Sequence, residues 1–326
     1  MPKKKIPALP VFLKTKIYKT GQTRGADDDV IFQNRVSRKS TVLIPFSLWD
    51  NFSAPPKGKD TFESGFICLL TPREYFEIDN IDQLLADRGL ALGVNTLVFY
   101  QLRSDWERFN PALRGWLPAN NRAESLLGQY VARVAATTST NGEKISHGFN
   151  TTGMKGAGIR LFEYATTDSI NECRIQLEAI FWLCHDSIQS AIEFLMPEEQ
   201  ALQRKQYCLD AATESNLLDF ELLKKARILD ENHITICPFC LEKLSSYGFF
   251  NRLVQSTGRE VHDLTVTEIN LFHIKELRYG EYNHRAYNLG WGHHHCNVVV
   301  KDSGIDETLN WMADVINRNK SSGYMT

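Results

Sequence analysis

Three short segments in the last third of the chain carry the residue types that bind metal ions and move protons. The first is Cys237-Pro-Phe-Cys240, the second is the single residue His273, and the third is Asn-Leu-Gly-Trp-Gly-His-His-His-Cys-Asn at 288–297. They hold three of the seven cysteines and four of the nine histidines. This concentration predicts a metal-binding core that the rest of the chain positions.

Two pairs of residues have the spacing of zinc ligands. Cys237 and Cys240 are separated by two residues, so that one tight turn can present both sulfurs to a tetrahedral ion. His293 and Cys296 repeat the same gap. Four soft or borderline ligands in two pairs form a closed site, which predicts structural Zn²⁺. A redox Cys-x-x-Cys beside an unrelated second pair is the alternative.

The residues between and after these pairs resemble the HNH, or ββα-metal, nuclease superfamily. Its pattern runs Asp-His-Ile-x-Pro-Leu, a loop, Asn-Leu-x-x-Leu-Cys-x-x-Cys-Asn and a helix. The first block is matched by His273, Ile274 and Leu277, and the second by Asn288, Leu289, Cys296 and Asn297. His293 stands at the first cysteine of the later zinc pair.

The resemblance implies a role for three of these residues in phosphodiester hydrolysis. His273 would be the general base that activates water, and Asn297 would bind one catalytic divalent cation, Mg²⁺ or another. Asn288 would orient the loop or the base. Histidine suits the first role because its unperturbed pKa lies near neutrality.

One position departs from the superfamily pattern. The acidic metal ligand that usually precedes the histidine is replaced by Phe272, which cannot bind a cation. One alternative is that another group supplies the ligand, and the candidates within reach in sequence are Glu276, His294, His295 and Asp302. The other is that catalysis has been lost and a zinc-stapled DNA-binding fold remains.

The remaining histidines are harder to assign. His294 or His295 could also replace His293 in the zinc site, or both could be surface imidazoles near a phosphate backbone. His262 and His284 are expected to face solvent.

Length and patterning predict an α+β protein of two domains. The chain has 326 residues, of which 43% are apolar, and this is longer than one typical domain. We expect a mixed N-terminal domain over 1–230, which recognises DNA and dimerises, and a zinc-stapled ββα-metal (HNH) nuclease domain over 231–326. Strands are predicted near 41–46, 66–70 and 94–100, a helix at 81–92, a loop at 135–158 and helices over 167–226.

Two helices of this pattern have specific predictions. The helix near 175–188 carries apolar residues around most of its circumference and is expected to be central. The last helix is expected to begin with Ser303 as its cap and to pack on the core through Ile305, Leu309, Met312 and Ile316.

Composition bounds the compartment and the cofactors. Four cysteines are scattered singly and are expected to be buried in a reducing, cytoplasmic environment: Cys68, Cys173, Cys184 and Cys208. No apolar run approaches the roughly 20 residues that span a bilayer. Glycine-rich phosphate loops are absent from the sequence, so no nucleotide cofactor is expected.

Charge is distributed unevenly around a small net value. The formal net charge is −2, but residues 1–39 carry ten lysines and arginines against three aspartates. A basic arm fits a phosphate-bearing partner, and a solvated tail is the alternative. The candidate contacts to double-stranded DNA are Arg24, Gln33, Asn34, Arg35, Arg38 and Lys39.

One nuclease core fused to a large non-repetitive region is similar to the layout of type II restriction endonucleases, including those of the BstXI kind. This resemblance implies sequence-specific cleavage of double-stranded DNA by a homodimer on a two-fold symmetric target. A homing or structure-specific HNH nuclease is the alternative within the enzymes. A non-catalytic DNA-binding protein with a degenerate zinc module is the alternative from another class.

Overall fold

The computed structural model describes residues 6–23, 31, 36–52, 62–123, 125–137, 142–149, 156–251, 267–301 and 303–325. These residues form two compact units. Unit 1 comprises Met1–Thr20, Thr167–Arg278 and Asn283–Thr326, and unit 2 comprises Gly21–Thr166 and Tyr279–Tyr282. The expected boundary at residue 230 falls inside unit 1, so the division into recognition and nuclease domains stays a prediction.

The described part of the chain forms helices and strands with the following bounds. The helices are α1 (Val11–Tyr18), α2 (Pro72–Glu77), α3 (Ile81–Asp87), α4 (Arg103–Arg108), α5 (Thr167–Trp182), α6 (Ser187–Glu193), α7 (Glu198–Glu214), α8 (Phe220–Lys225), α9 (His294–Val300) and α10 (Ile305–Ser321). The strands are β1 (Gln22–Thr23), β2 (Val36–Ser37), β3 (Val42–Pro45), β4 (Phe66–Leu70), β5 (Thr96–Tyr100), β6 (Tyr130–Val134), β7 (Ile145–His147), β8 (Ile159–Arg160), β9 (Ile269–His273) and β10 (Leu289–His293).

Unit 2 is built on a six-stranded sheet in the order β7-β6-β5-β4-β3-β8. All neighbours pair in parallel except β6 and β7, which are antiparallel. Every residue of β5 and β6 is buried, as expected of parallel strands covered on both faces. The three strands predicted from apolar runs are confirmed as β3, β4 and β5. The expected loop at 135–158 is partly wrong, because β7 forms the sheet edge there.

Unit 1 is organised around α5. Ile180, Phe181 and Trp182 are fully buried, so the prediction of a central helix is confirmed. The same hydrophobic cluster contains Leu13 of α1 and Trp291 of β10. Segments far apart in sequence therefore share one core, which explains why unit 1 begins well before residue 230.

Single residues behave as expected elsewhere. Cys68, Cys173, Cys184 and Cys208 are all buried. Pro197 immediately precedes α7, whose first turn carries Glu198 and Glu199, in agreement with the expected helix start. No helix in the described ranges is both long enough and apolar enough to cross a membrane.

The last helix departs from its prediction in two ways. Gly304, with φ +85°, takes the N-cap position of α10 and no side chain caps the helix, so the cap predicted at Ser303 is wrong. Ile305 is buried, but Leu309 and Ile316 are 38% and 40% exposed. The expected packing of this face on the core is therefore limited to its first turn.

Candidate active site and metal centre

Two antiparallel strands and the helix that follows them carry most of the predicted site residues. In β9 and β10, His273 lies opposite Leu289 and Ile269 lies opposite His293. α9 follows β10 without a linker, so His293 at the strand end is directly continuous with the helix. The order strand, strand, helix places His273 at one end of the hairpin and His293 at the other.

Phe272 belongs to the core of unit 1 and is 1% exposed. A Cβ built on Gly292 would lie 2.7 Å from Cδ2 of its ring, so the strand opposite needs glycine to accept the phenyl group. Because side chains alternate along a strand, Phe272 and His273 point to opposite faces. The phenylalanine is thus a packing residue beside the site.

Four predicted ligands converge at the far end of the hairpin. The ligand atoms of Cys237, Cys240, His293 and Cys296 all lie within 4.8 Å of one another, and Cys240 Sγ is 3.3 Å from Nδ1 of His293. A tetrahedral ion with bonds of about 2.0–2.3 Å holds its ligand atoms roughly 3.3–3.8 Å apart. The donor set and its spacing fit a structural zinc ion.

The loop of the first pair is held by its own backbone. Cys237 N donates to Glu242 O at 2.9 Å, and Leu241 N donates to Cys237 O at 2.9 Å. Arg227 Nε also donates to Pro238 O at 2.8 Å. These bonds form a tight turn that points both sulfurs the same way, as the two-residue spacing predicts.

The electrostatics of the cluster favour a thiolate. Burial raises the pKa of Cys237, but hydrogen bonds from His293 and from backbone N–H groups outweigh it and lower the pKa to about 6. The same interaction with Cys237 raises the pKa of His293. A thiolate is the form of cysteine that binds metal ions, so the cluster is prepared for a cation.

Asn288 ties the segment after β9 to the start of β10. Its Oδ1 accepts from Lys275 N at 2.8 Å, and its Nδ2 donates to Lys275 O at 2.9 Å and to Asn283 O at 2.7 Å. The side chain is buried and all its polar atoms are used. These contacts fit the loop-orienting role that the resemblance implies.

His273 lies next to a second histidine that the sequence analysis placed in solvent. Nε2 of His273 is 3.2 Å from Nδ1 of His284, and the two rings are inclined at 53°. His284 is 1% exposed, so the expectation that it faces solvent is wrong. No ligand spacing marks His284 in the sequence, and its position four residues before Asn288 is the one signal available.

Asn297 lies on α9 beside the strand that ends in His273. Its Nδ2 donates to Leu271 O at 3.4 Å, and its side chain is half-buried. Leu271 precedes His273 by two residues on the same face of β9. The structure thus places the amide of Asn297 along the same strand as the imidazole.

The candidates for the missing ligand lie in different surroundings. Glu276 pairs with Arg278, and His294 Nδ1 is 3.1 Å from Nδ2 of Asn270. His295 is exposed, with its ring stacked on His293 at 5.3 Å, and Asp302 lies outside the described residues. Among described histidines, cysteines and carboxylates, only the zinc-type cluster has three or more ligand atoms close enough for one ion. The described residues therefore do not complete a catalytic cation site.

The candidate DNA contacts can be checked at two positions. Arg38 is buried and its guanidinium donates to Glu163 O at 3.0 Å, so it is engaged inside unit 2 and is not a surface contact. Lys39 is exposed. Arg24, Gln33, Asn34 and Arg35 lie outside the described residues, as does His262.

Comparison with known proteins gives one extensive match. A family model described as BstXI restriction endonuclease matches residues 15–294. A solved structure described as a type II restriction endonuclease is 16% identical, with 57% of this chain and 97% of that chain covered and a TM-score of 0.21, which is too low to support an argument. None of the curated proteins compared with the chain matches it.

Proposed function

The chain belongs to the BstXI restriction endonuclease family, and we propose that it cuts DNA with an HNH-type site in which His273 is the general base. As a member of that family it is a type II site-specific deoxyribonuclease. The observation that supports the HNH assignment is the strand, strand, helix unit, with His273 ending β9, Asn288 closing the loop and Asn297 on the helix.

The chemistry assigned to His273 is the removal of a proton from the attacking water. An unprotonated ring nitrogen accepts that proton while the phosphodiester gains negative charge. A divalent cation such as Mg²⁺, with Asn297 as one protein ligand, would stabilise that charge. Asn288 keeps the segment after β9 folded back against Lys275, and so fixes the end of the strand that carries the base.

We assign the four-ligand cluster a structural role with Zn²⁺. Cys237 and Cys240 lie before β9, whereas His293 and Cys296 end β10 and begin α9. An ion bound by all four fixes the hairpin and the helix to the preceding turn. Because all four positions are protein ligands, the cluster has no open position for substrate.

The large N-terminal region is proposed to recognise the target sequence. An HNH core contacts DNA mainly through its backbone and shape, so base recognition must come from elsewhere in the chain. Lys39 is exposed in unit 2 and can contact a phosphate. The basic residues near the N-terminus extend the same positive charge.

A homodimer follows from the need to cut both strands with one site per chain. The exposed face of α10 is the surface we propose for it. Leu309, Met312 and Ile316 share this face, the first turn of α10 is acidic and its last turn is basic. Two copies paired antiparallel would bury the apolar residues and oppose the charges. The acidic residues are Asp306 and Glu307, and the basic ones are Arg318 and Lys320.

The dimer surface is tested by light scattering of a charged double variant. Leu309→Glu with Ile316→Glu should give a monomer, because four carboxylates would face one another across the interface. Asn310→Glu with Asn317→Glu adds the same charge to the same exposed helix, away from that face, and should remain dimeric. A wild-type monomer at all concentrations would contradict the dimer.

One digest tests the proposed function against its alternatives. Phage DNA incubated with the protein and Mg²⁺ should give discrete, reproducible fragments, as sequence-specific restriction requires. Cuts confined to branched or single long-target substrates would favour a structure-specific or homing nuclease. Absence of cleavage with retained DNA binding would favour the non-catalytic protein.

A further inference from the structure

His284 is held rigidly in the segment between β9 and β10. Asn288 Nδ2 donates to the carbonyl of Asn283 at 2.7 Å, and Asn283 Nδ2 donates to the carbonyl of Glu276 at 2.7 Å. Asn283 and His284 are both buried. The hydrogen bonds fix the backbone next to His284, and burial restricts its ring.

The two imidazoles meet through specific atoms. Nε2 of His273 and Nδ1 of His284 are 3.2 Å apart, which is a hydrogen-bond distance. A neutral imidazole has one N–H donor and one acceptor nitrogen. When both rings are neutral, one of the two facing nitrogens carries the shared proton and the other accepts it.

The position of that proton decides which nitrogen of His273 can act as a base. If Nε2 of His273 carries the proton and donates to His284, then Nδ1 of His273 keeps its lone pair. If His284 donates instead, Nδ1 of His273 carries the proton and cannot accept another. The hydrogen bond that one nitrogen makes therefore sets the function of the other.

A shared metal ion would also bring two ring nitrogens to this distance. That reading needs further protein ligands, and in the described ranges no third histidine, cysteine or carboxylate joins the pair within ligand distance. The deep burial of His284 also places it behind His273 and away from substrate. The observations favour a hydrogen bond between the rings.

We propose that His284 is a positioning residue for His273: its Nδ1 accepts a hydrogen bond from Nε2–H of His273 and leaves Nδ1 of His273 to take the proton from water. This inference rests on the proposed role of His273 as the base. It also gives a buried histidine in the loop a function that Asn288 supports through Asn283.

Two variants separate positioning from packing. His284→Leu fills the space without an acceptor, and His284→Asn restores a side-chain oxygen near the place of Nδ1. With Mg²⁺ and plasmid DNA, we expect His284→Leu to lower kcat about 10–100-fold with little change in KM, as loss of an orienting partner does. His284→Asn should recover most of that loss.

Nuclear magnetic resonance of the full chain, labelled with ¹⁵N in histidine, gives a readout independent of cleavage. The His273 signals are assigned by their loss in His273→Ala. In the wild type, Nε2 should carry a proton that exchanges slowly with water, and Nδ1 should be unprotonated. The slow exchange should disappear in His284→Leu and persist in His284→Asn.

The outcomes distinguish this inference from the proposed function. A wild-type His273 protonated at Nδ1, or a His284→Leu variant with normal kcat and an unchanged Nε2–H signal, would overturn the positioning role. Recovery of His284→Leu by excess Mg²⁺ would overturn it in favour of a metal ligand. Normal cleavage by His273→Ala would instead refute the base, while the NMR result would still report on the hydrogen bond.

Discussion

Removal of the zinc ion should destabilise unit 1 by an amount that the chain connectivity sets. The ion links Cys240 to His293, and these positions are 53 residues apart in sequence. Closing a loop of that length removes about 4 kcal/mol of conformational entropy from the unfolded chain. A bound ion that keeps this link therefore contributes roughly that much to the free energy of unfolding, beyond its local contacts.

Urea unfolding followed by tryptophan fluorescence measures this contribution. A strong chelator, or Cys240→Ser in zinc-containing buffer, should lower the free energy of unfolding by ~4 kcal/mol. Cys208→Ser is the control, because this buried cysteine lies outside the cluster. It should cost about 1–3 kcal/mol for burying a hydroxyl and should still respond to zinc. Protein that contains no zinc as purified, or that unfolds identically with chelator, would refute the reasoning.

Two further predictions concern the contacts around the hairpin. Trp291 Nε1 donates to Leu177 O at 2.8 Å, so Trp291→Phe should lower the free energy of unfolding by about 1–3 kcal/mol in urea; equal stability would contradict this. Burial lowers the pKa of Lys16 from 10.5 to about 7, with Lys19 acting in the same direction and Glu268 against it. The unfolded state then binds more protons above pH 7, so stability should rise from pH 7 toward 10 by on the order of 1 kcal/mol per unit. Lys16→Met should flatten this slope in pH-dependent urea unfolding, whereas the exposed Lys14→Met should retain it.

The metal cluster could be predicted from sequence because its information is local. Each pair of ligands lies within four residues, so the spacing alone constrains how Cys237 and Cys240, or His293 and Cys296, can face one ion. The structure brings the two pairs together as expected. The strands β3, β4 and β5 were predictable for a similar reason, since continuous apolar runs are typical of strands buried on both faces.

The parts that sequence reasoning missed depend on contacts between distant segments. His284 faces His273 only because the segment between the strands folds back through Asn288. The extent of unit 1 depends on α1 packing with α5 and β10 in one core, which no local pattern reveals. α10 has an amphipathic pattern, and a pattern of this kind does not state whether its apolar face meets the core or a second chain.

The most direct test of the central claim is cleavage of plasmid DNA by His273→Ala in the presence of Mg²⁺. We predict that wild type cuts at discrete sites, and that the variant binds DNA with similar affinity but cuts about 10²–10⁴-fold more slowly, as loss of a general base requires. His185→Ala removes an exposed imidazole outside the site and should cut like wild type. Cleavage by His273→Ala at the wild-type rate would contradict the assignment of His273 as the base.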